Sequence, residues 1–367
     1  MNTEELEPIL EEIAPSSLAE SWDRPGWQVR FPGLAVTGIL VAMDVTPAVL
    51  DEAEKLGCNL ILAHHPLMFK PLQTLDLGTS RGRLIARLIR GEVSVWAAHT
   101  NLDVLAEGTS MALARALGLR QPSILSRVQR QEYKLSVFVP VDKAEDLKNA
   151  MADAGAGRIG DYTQCFWQVT GIGQFNPGQS AVPYLGSAGE MEKVEEARIE
   201  GVVSQARLGP VLEAMRRTHP YEEVAYDVVP LANQPSTHGF GAVGLLTSPM
   251  STSQAAIHAT SVLASPVCQM AGDPERVHQK VAVMGGSGAS FYRDALRAGA
   301  TLFITADVKY HEAQDAVDQG LDLVVLDHCA TERPVLDLVA ERLRRLATGI
   351  PVSVATAPTS PFKAGGS

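Results

Sequence analysis

The chain has 367 residues and a formal net charge of −11, and its hydrophobic share of 46% excludes a disordered protein. At about 100–200 residues per domain, the length predicts two or three domains. The negative charge argues against duplex nucleic acid or an anionic membrane as the main partner. Four separated cysteines without a CxxC pair, no signal peptide and no apolar run of about 18 residues predict a cytoplasmic protein without a disulfide framework.

The first third of the chain alternates predicted strands and helices. The apolar run 38–43 predicts a buried strand, and 46–56 predicts a helix with a threonine cap, an early proline and Gly57 at its end. Two more strands are predicted at 59–63 and 93–98, and two more helices at 81–91 and 110–118. This alternation predicts a largely parallel sheet that helices cover on both faces.

The last third repeats this plan, with strands predicted at 280–284, 301–305 and 321–326 and a helix at 291–298. Residues 55–65 align with 297–307, which places His65 opposite Asp307. The next strand ends carry HTNLD (99–103) and HCATE (328–332), each a histidine with an acid four residues later. We interpret the halves as a duplicated α/β unit, although any two βαβ units share some of this pattern.

The middle of the chain follows a different order. Residues 130–232 are predicted to run β-α-β-β-α-β, the order of a ferredoxin-like domain. The Gly/Pro-rich segment 171–189 is predicted as a long loop within it, and 233–241 as the exit linker. The predicted domains are therefore 1–129, an insert at 130–232, and 233–367.

Histidines and acids follow three predicted strands, at the edge where α/β proteins build their sites. The histidine pair taken alone is better explained as surface or core residues, but three strand ends that carry a histidine and an acid favour a metal site. The candidate nitrogen and oxygen ligands are His64, His65, His99, Asp103, His328 and Glu332. Such a set suits zinc, iron, manganese, cobalt or nickel, and its carboxylates could bridge two ions that activate a water.

Weaker signals lie near the same strand ends. The turn at Gly286, Ser287 and Gly288 could cradle an anion with its backbone N–H groups, although a plain tight turn explains it as well. Lys309 and His311 follow Asp307 and could bind an anionic substrate or transfer protons, the alternative being a solvated helix surface.

These motifs carry a family resemblance over nearly the whole chain. The segments concerned are LAHHPLMF, HTNLD, GGSGASF, ITADVKYHEAQDA and DHCATERP, with SLAESWDRPGWQV near the start. They resemble the GTP cyclohydrolase 1 type 2 homologue family, also called NIF-three-like dinuclear metal proteins. The segment 171–203 and HPYEEVAYDV resemble the PII/CutA-like insertion of its longer bacterial members.

The resemblance implies a duplicated α/β sandwich interrupted by a ferredoxin-like, PII/CutA-like insert. It implies two divalent metal ions, zinc first among the candidates, held by His64, His65, Asp103, His328 and Glu332. One of the paired histidines and Asp103 would hold one ion, and the other histidine and His328 the second. Glu332 would be shared, with His99 outside the direct ligand set. The resemblance also implies a toroidal homohexamer with its metal sites facing an internal cavity.

Three positions depart from the expected family pattern, whereas the five implied ligands are intact. Arg24 stands where asparagine is expected after Trp-Asp, Ala306 replaces a glycine, and Asp327 replaces the glycine before the last ligand histidine. These departures concern substrate specificity rather than metal binding.

The leading functional hypothesis is a hydrolase that acts on a nucleotide or similar phosphorylated small molecule through a metal-bound hydroxide. Its candidate catalytic residues are Glu332, His99, Lys309 and His311; Gly286, Ser287, Gly288 and Asp307 are candidates for phosphate or substrate binding. The alternative is a non-catalytic regulator or scaffold whose PII-like insert binds an effector or partner. A ring that encircles nucleic acid is a third possibility, which the net charge disfavours.

Overall fold

The computed structural model describes residues 1–128, 131–160, 162–233 and 237–363. By its internal contacts the chain divides into unit 1, Met1–Val128 with Thr237–Ser367, and unit 2, Gln129–Ser236. The sequence predicts an insert over 130–232. None of the helices in the described ranges has both the length and the apolar character needed to cross a membrane.

Unit 1 contains most of the helices and strands. Its first strands are β1 Gly26–Val29, β2 Ile39–Ala42, β3 Leu60–Ala63, β4 Ser94–Ala97 and β5 Arg120–Arg127. Unit 2 contributes β6 Glu132–Pro140, β7 Phe166–Phe175, β8 Glu192–Ser204 and β9 Tyr226–Pro230. The chain then returns to unit 1 with β10 Gly239–Ser251, β11 Cys268–Ala271, β12 Val277–Ser287, β13 Leu302–Ala306, β14 Asp322–Leu326 and β15 Val352–Val354.

The helices lie between these strands. Those before β5 are α1 Thr3–Ile13, α2 Pro47–Leu56, α3 Ser80–Arg90, α4 Thr100–Asp103 and α5 Thr109–Ala116. Unit 2 contributes α6 Ala144–Asp153 and α7 Gln205–Thr218. The rest are α8 Thr252–Leu263, α9 Tyr292–Arg297, α10 Tyr310–Asp318, α11 His328–Glu332 and α12 Pro334–Leu346, with short 3₁₀ turns at Ser16–Leu18, Val141–Lys143 and Ala289–Phe291.

Two sheets organise unit 1, and a mixed α/β fold with several sheets is confirmed. Sheet A has the order β1-β4-β3-β2-β15 and is parallel except at β1. Sheet B has the order β11-β14-β13-β12-β10-β5, and only β12, β13 and β14 are parallel to one another. The expectation of a largely parallel sheet is therefore wrong for the outer strands of sheet B. An apolar run shows that a strand is buried, but it does not show the direction of the neighbouring strand.

Alternating side chains of sheet A enter two separate cores. Ile39, Val41 and Leu62 pack with α1 and α12, whereas Leu40 and Ile61 pack with α2 and α3 on the opposite face. Sheet B is likewise covered on both faces, by α5 and α8 on one and by α9 and α10 on the other. Because β2 and β3 are buried on both sides, their sequences are continuous apolar runs without polar alternation.

The two halves of unit 1 exchange elements. The early strand β5 joins sheet B through β10, and the late strand β15 joins sheet A through β2. Helix α12, which follows the last strand of sheet B, buries Val339, Ala340 and Leu343 in the core of sheet A. Each sheet is therefore completed by chain from the other half.

Residues 233–241, predicted as a linker, partly form a strand. Residues 234–236 lie outside the described residues, but β10 begins at Gly239, which pairs with Arg127 of β5. A Cβ atom on Gly239 would lie 2.3 Å from the Ser126 carbonyl oxygen. Gly239 therefore permits a close approach of two strands. In the sequence, such a glycine is indistinguishable from one in a loop.

Unit 2 forms one antiparallel sheet with the order β7-β8-β6-β9 and the element order β-α-β-β-α-β. Val137 and Ile199 of the sheet pack against Leu147 of α6 and Met215 of α7. Strands β7 and β8 extend beyond their predicted ends, so the long loop covers 176–191 rather than 171–189. Gly173 lies inside β7, where a Cβ would meet Glu196 Oε2 at 1.9 Å. The close approach of Glu196 explains the glycine at this strand position.

The buried His219 in unit 2 is held as a neutral imidazole. Its Nε2 donates to the Phe138 carbonyl (2.8 Å) and its Nδ1 accepts from the Tyr221 N–H (3.1 Å), so both nitrogens are satisfied only without a second proton. Burial lowers the pKa of His219, although the Phe138 carbonyl and the Glu196 carboxylate oppose this.

A group whose pKa is lower in the folded state makes a stability contribution that is complete above its unfolded pKa, about 6.5. We therefore expect the stability of unit 2 to fall as the pH is lowered below that value. Hydrogen exchange of β6 and α7 amides in the full chain, between pH 7 and 5, measures this loss. His219→Gln should give a flatter pH profile than the parent chain, and equal slopes would contradict the assignment.

Candidate metal centre

His64 and His65 follow β3 at its carboxyl end. Their backbone N–H groups continue the ladder to β2, donating to the carbonyls of Ala42 (2.9 Å) and Met43 (2.8 Å). The His64 side chain is fully buried, and its Nδ1 donates to the Ala98 carbonyl at 2.8 Å. His65 Nδ1 donates to Asp44 Oδ1 at 2.8 Å. Both Nδ1 atoms are thus engaged, which leaves the Nε2 atoms for the centre.

Asp103 and His99 come from the end of β4, where α4 begins. Asp103 Oδ1 lies 3.5 Å from His64 Nε2. His99 Nδ1 donates to the buried Asp23 Oδ1 at 2.8 Å, and its ring lies 5.4 Å from the His64 ring, centroid to centroid. Ligand atoms of His64, His65 and His99 lie within 4.8 Å of one another, close enough to hold a metal ion.

His328 and Glu332 are brought to the same place by α11 of the other half. Asp327 caps this short helix by accepting from the Ala330 N–H (3.0 Å), and the four-residue spacing puts both side chains on one face. Glu332 Oε2 lies 3.0 Å from His65 Nε2, 3.3 Å from His328 Nε2 and 3.7 Å from His64 Nε2. His65, His328 and Glu332 form a second group that could hold a metal ion.

Asp307 has a supporting position in this arrangement. Its Oδ2 accepts from His328 Nδ1 at 2.5 Å and from the Ser287 hydroxyl at 2.7 Å. All four histidines of the cluster therefore have Nδ1 bound to an oxygen, from Ala98, Asp44, Asp23 and Asp307 respectively. Histidines that bind metals through Nε2 are commonly oriented in this way.

Two buried atoms at the centre have no hydrogen-bond partner among the described residues, His64 Nε2 and Asp103 Oδ1. Leaving such groups unpaired costs about 1–3 kcal/mol each. An imidazole nitrogen and a carboxylate oxygen that face one another can both serve as ligands of one cation. The residues present therefore fit a metal ion.

The electrostatics of the cluster favour positive charge. Burial lowers the pKa of His65, but hydrogen bonds to Asp44 and Glu332 outweigh it and raise the pKa to about 10. Burial is outweighed in the same way at His328, where Glu332 and Asp307 raise the pKa to about 9. Burial alone would raise the pKa of Glu332, but the charge of His64 and the bond from His328 hold it well below its ordinary value. A cation could take the place of these protons.

A cavity of about 700 Å³ opens onto the cluster. Its walls include four aromatic side chains that sequence reasoning missed, which form two pairs, Trp22 with Phe69 and Phe240 with Phe291. The ring centroids within each pair are 5.8 Å apart. Trp22 is 54% exposed and Phe69 is 44% exposed, so apolar ring faces remain open at the mouth of the site.

The turn predicted as an anion cradle packs against the cluster. The N–H groups of Gly286 and Gly288 already donate to the hydroxyls of Thr331 (2.9 Å) and Thr305 (3.0 Å). A Cβ on Gly286 would lie 2.2 Å from Glu332 Oε1, so this glycine gives Glu332 its space. Ser287 bonds Asp307. These contacts explain the two glycines by packing against the cluster, and phosphate binding at this turn stays a prediction.

Lys309 and His311 are not brought to the cluster. Both are exposed at the start of α10, where the Lys309 N–H donates to Glu312 Oε2 (2.9 Å), and neither lines the cavity. Asp44 and Asp23 are the supporting residues that sequence reasoning missed. Asp44 is the second residue after β2, as His65 is the second residue after β3, so the strand-end rule that selected the histidines could have found it.

We expect Asp44→Asn to weaken zinc binding about tenfold, because the replacement removes the charge that orients and polarises His65. Competition against a chromophoric chelator measures the affinity. Asp51→Asn is the matched control, since Asp51 forms only an exposed ion pair with Arg87. Equal affinity of both variants would show that Asp44 has no influence on the site.

Fold and site define a mixed α/β protein in which strand ends from two sheets assemble a histidine–carboxylate cluster that could hold metal. Residues 1–361 match the family described as Duf34/NIF3 (NGG1p interacting factor 3), and the chain belongs to this family.

Curated relatives support this membership. The chain is 38% identical over 339 residues to the GTP cyclohydrolase 1 type 2 homolog of Halalkalibacterium halodurans, covering 92% of this chain and 91% of that protein. It is 35% identical over 367 residues to the Bacillus subtilis protein of the same name, covering 99% and 98%. Among solved structures, the Bacillus cereus protein related to NIF3 is 36% identical with a TM-score of 0.71, covering 99% of this chain and 98% of its own. Staphylococcus aureus SA1388 is 29% identical with a TM-score of 0.78 and the same coverage.

Proposed function

We propose that this protein is a dinuclear-metal-dependent hydrolase of a ring-bearing small molecule. The observation that carries this proposal is the convergence of His64 Nε2 and Asp103 Oδ1, both buried and unpaired, on Glu332 and the other histidines. The ligands would be His64, His65, Asp103, His328 and Glu332. When bound, two divalent cations supply Lewis acidity and lower the pKa of water for hydrolysis.

The chain's own residues would prepare the site. Asp44, Asp23 and Asp307 fix the ring orientations of three histidines through their Nδ1 atoms. Ligands of this nitrogen and oxygen composition suit zinc, and also iron, manganese, cobalt or nickel. His99 is held by Asp23 within reach of the first cluster and would position water or substrate beside it.

The cavity supports the substrate class. A volume of about 700 Å³ lies in the range of sites for small molecules and cofactors. The aromatic side chains in its lining favour a planar ring, which would stack against them. The curated relatives are named GTP cyclohydrolase 1 type 2 homolog, which suggests hydrolytic opening of a nucleotide's heterocycle. None of the described lining residues is a lysine or arginine, which favours recognition of the substrate through its ring.

The test combines metal content with turnover. Protein purified without chelators is analysed for bound metals, reloaded with zinc, manganese or iron, and incubated with GTP and other nucleotides and nucleosides. We expect about two metal ions per chain and a ring-opened product with at least one substrate. Full metal occupancy without turnover of any substrate would contradict the enzymatic proposal and favour a non-catalytic metal-binding protein.

A non-catalytic regulator is the second candidate. It is favoured because unit 2 has a core of its own and a separate cavity of about 330 Å³. We propose that unit 2 is a ferredoxin-like insertion that binds an effector. A regulator would show effector-dependent shifts in structure with no product formed.

A ring-shaped hexamer remains the proposed assembly. Ile257 and Val262 of α8 and Met270 of β11 leave apolar side chains exposed on unit 1, which a second copy would cover. Light scattering after size exclusion would give the mass. A monomeric mass at micromolar concentration would contradict the ring.

A further inference from the structure

The cavity in unit 2 has a composition unlike that of the metal centre. It lies between the end of β7, the loop after it, and the segment that joins α7 to β9. Its volume of about 330 Å³ is at the small end of the range for ligand sites. Its walls include three aromatic rings and three carboxylates beside small apolar and amide side chains, and no lysine, arginine or histidine is among the described lining residues.

Aromatic rings form one side of this cavity. The Tyr221 ring is central, with its centroid 6.0 Å from that of Phe175 and 6.2 Å from that of Tyr184. Tyr184 belongs to the loop and is 49% exposed, so its ring is accessible to a ligand. Ring faces carry partial negative charge and attract ammonium and guanidinium groups.

Glu196 of β8 is held in a fixed place at the cavity wall. Its Oε1 accepts from the Tyr221 hydroxyl at 2.9 Å, and its Oε2 lies over Gly173, where a Cβ would come within 1.9 Å. Burial raises the pKa of Tyr221, and Glu196 raises it further, so the phenol stays neutral and continues to donate. The Tyr221 hydroxyl and the space over Gly173 thus fix the position of the Glu196 carboxylate.

The loop that closes the cavity is tied to a second carboxylate. The Val182 N–H donates to Glu222 Oε1 at 2.9 Å, which joins the loop after β7 to the segment after α7. Glu223 adds a third carboxylate to the lining. Within the described part of the chain, none of the three is in an ion pair.

We propose that this cavity binds a small organic cation, with an ammonium or guanidinium group placed between Glu196 and the rings of Tyr184 and Tyr221. A metal ion fits less well. Among the described residues, the groups of three or more metal-ligating side chains close enough to share an ion all lie in unit 1. Glu196, Glu222 and Glu223 line the cavity together with three aromatic rings, which offers carboxylate charge and ring faces to the same small cation.

Calorimetric titration of the full chain tests the proposal, with agmatine, putrescine and choline as probes and magnesium chloride and glutamate as counter-probes. We expect saturable binding of at least one organic cation with one site per chain. Neither counter-probe should bind in unit 2. Affinity should fall about tenfold or more in Glu196→Gln and in Tyr184→Ala.

Glu195→Gln is the matched control. Glu195 is the preceding residue of β8, so its side chain points to the opposite face of the sheet, and the same charge is removed outside the cavity. Tyr184→Ala lies on the exposed loop and keeps the test valid if Glu196→Gln does not fold. No heat from any organic cation up to about 10 mM would overturn the proposal. Binding that Glu195→Gln weakens as much as Glu196→Gln would also overturn it, as would preferential binding of magnesium in unit 2.

Discussion

Replacing Glu332 by glutamine is expected to abolish stable metal binding at the cluster. Glu332 Oε2 lies within 3.0–3.7 Å of three imidazole nitrogens, and its side chain is only 5% exposed. The change keeps the size of the side chain and removes the charge that a pair of cations would share. Loss of a supporting partner costs about 10–100-fold in metal affinity, so loss of this shared ligand should exceed about 100-fold.

Metal content after gel filtration, measured by elemental analysis, checks this expectation. Glu341→Gln serves as the control, since Glu341 is an exposed glutamate on the neighbouring helix α12. Circular dichroism of both variants verifies that the fold is intact. Glu332→Gln protein that retains its full complement of metal through a chelator wash would disprove the assigned role.

Gly286→Ala should damage the same cluster from the backbone side. The new Cβ would lie 2.2 Å from Glu332 Oε1 and 3.2 Å from His328 Cε1, so the carboxylate would have to leave its position among the histidines. We expect zinc affinity to fall by at least about tenfold, as it does when the groups that orient a ligand are lost.

Gly57→Ala separates this clash from backbone strain. Gly57 has φ +69 where Gly286 has φ +67, but nothing lies within 4 Å of a Cβ at Gly57. Both variants carry a left-handed alanine, which costs about 1–2 kcal/mol. Urea unfolding should therefore show this loss in both, and zinc titration should show weakened binding in Gly286→Ala alone. Parallel zinc affinities would refute the argument that Gly286 makes room for Glu332.

The sequence predicted the parts of the centre that follow a local rule. His64, His65, His99 and His328 stand at strand ends, and parallel strands bring such ends to one edge. The family membership that their motifs indicated is confirmed. Which nitrogen of each ring faces the centre depends on Asp44, Asp23, Asp307 and the Ala98 carbonyl, distant in sequence from the histidines they bind.

Glycines are the residues whose signals the sequence leaves most ambiguous. Gly286 suggested an anion cradle and Gly239 a linker, but each lacks a side chain because another group occupies that space, Glu332 Oε1 at one and the Ser126 carbonyl at the other. A sequence shows a glycine without showing whether a neighbouring group requires it or which group that is. The same ambiguity placed Gly173, a residue of β7, in the predicted loop of unit 2. That loop was therefore predicted to begin at residue 171, whereas β7 continues to Phe175.

The exchange of β5 and β15 between the sheets has a consequence for biosynthesis. While a ribosome is still translating, sheet A lacks both its edge partner for β2 and the apolar cover that Val339 and Leu343 provide. Nearly 300 residues separate β2 from α12 along the chain. The apolar surface of sheet A therefore stays exposed on the nascent chain until that helix has been synthesised. Newly made protein should therefore depend on chaperones during elongation, and a stalled chain ending before residue 334 should aggregate.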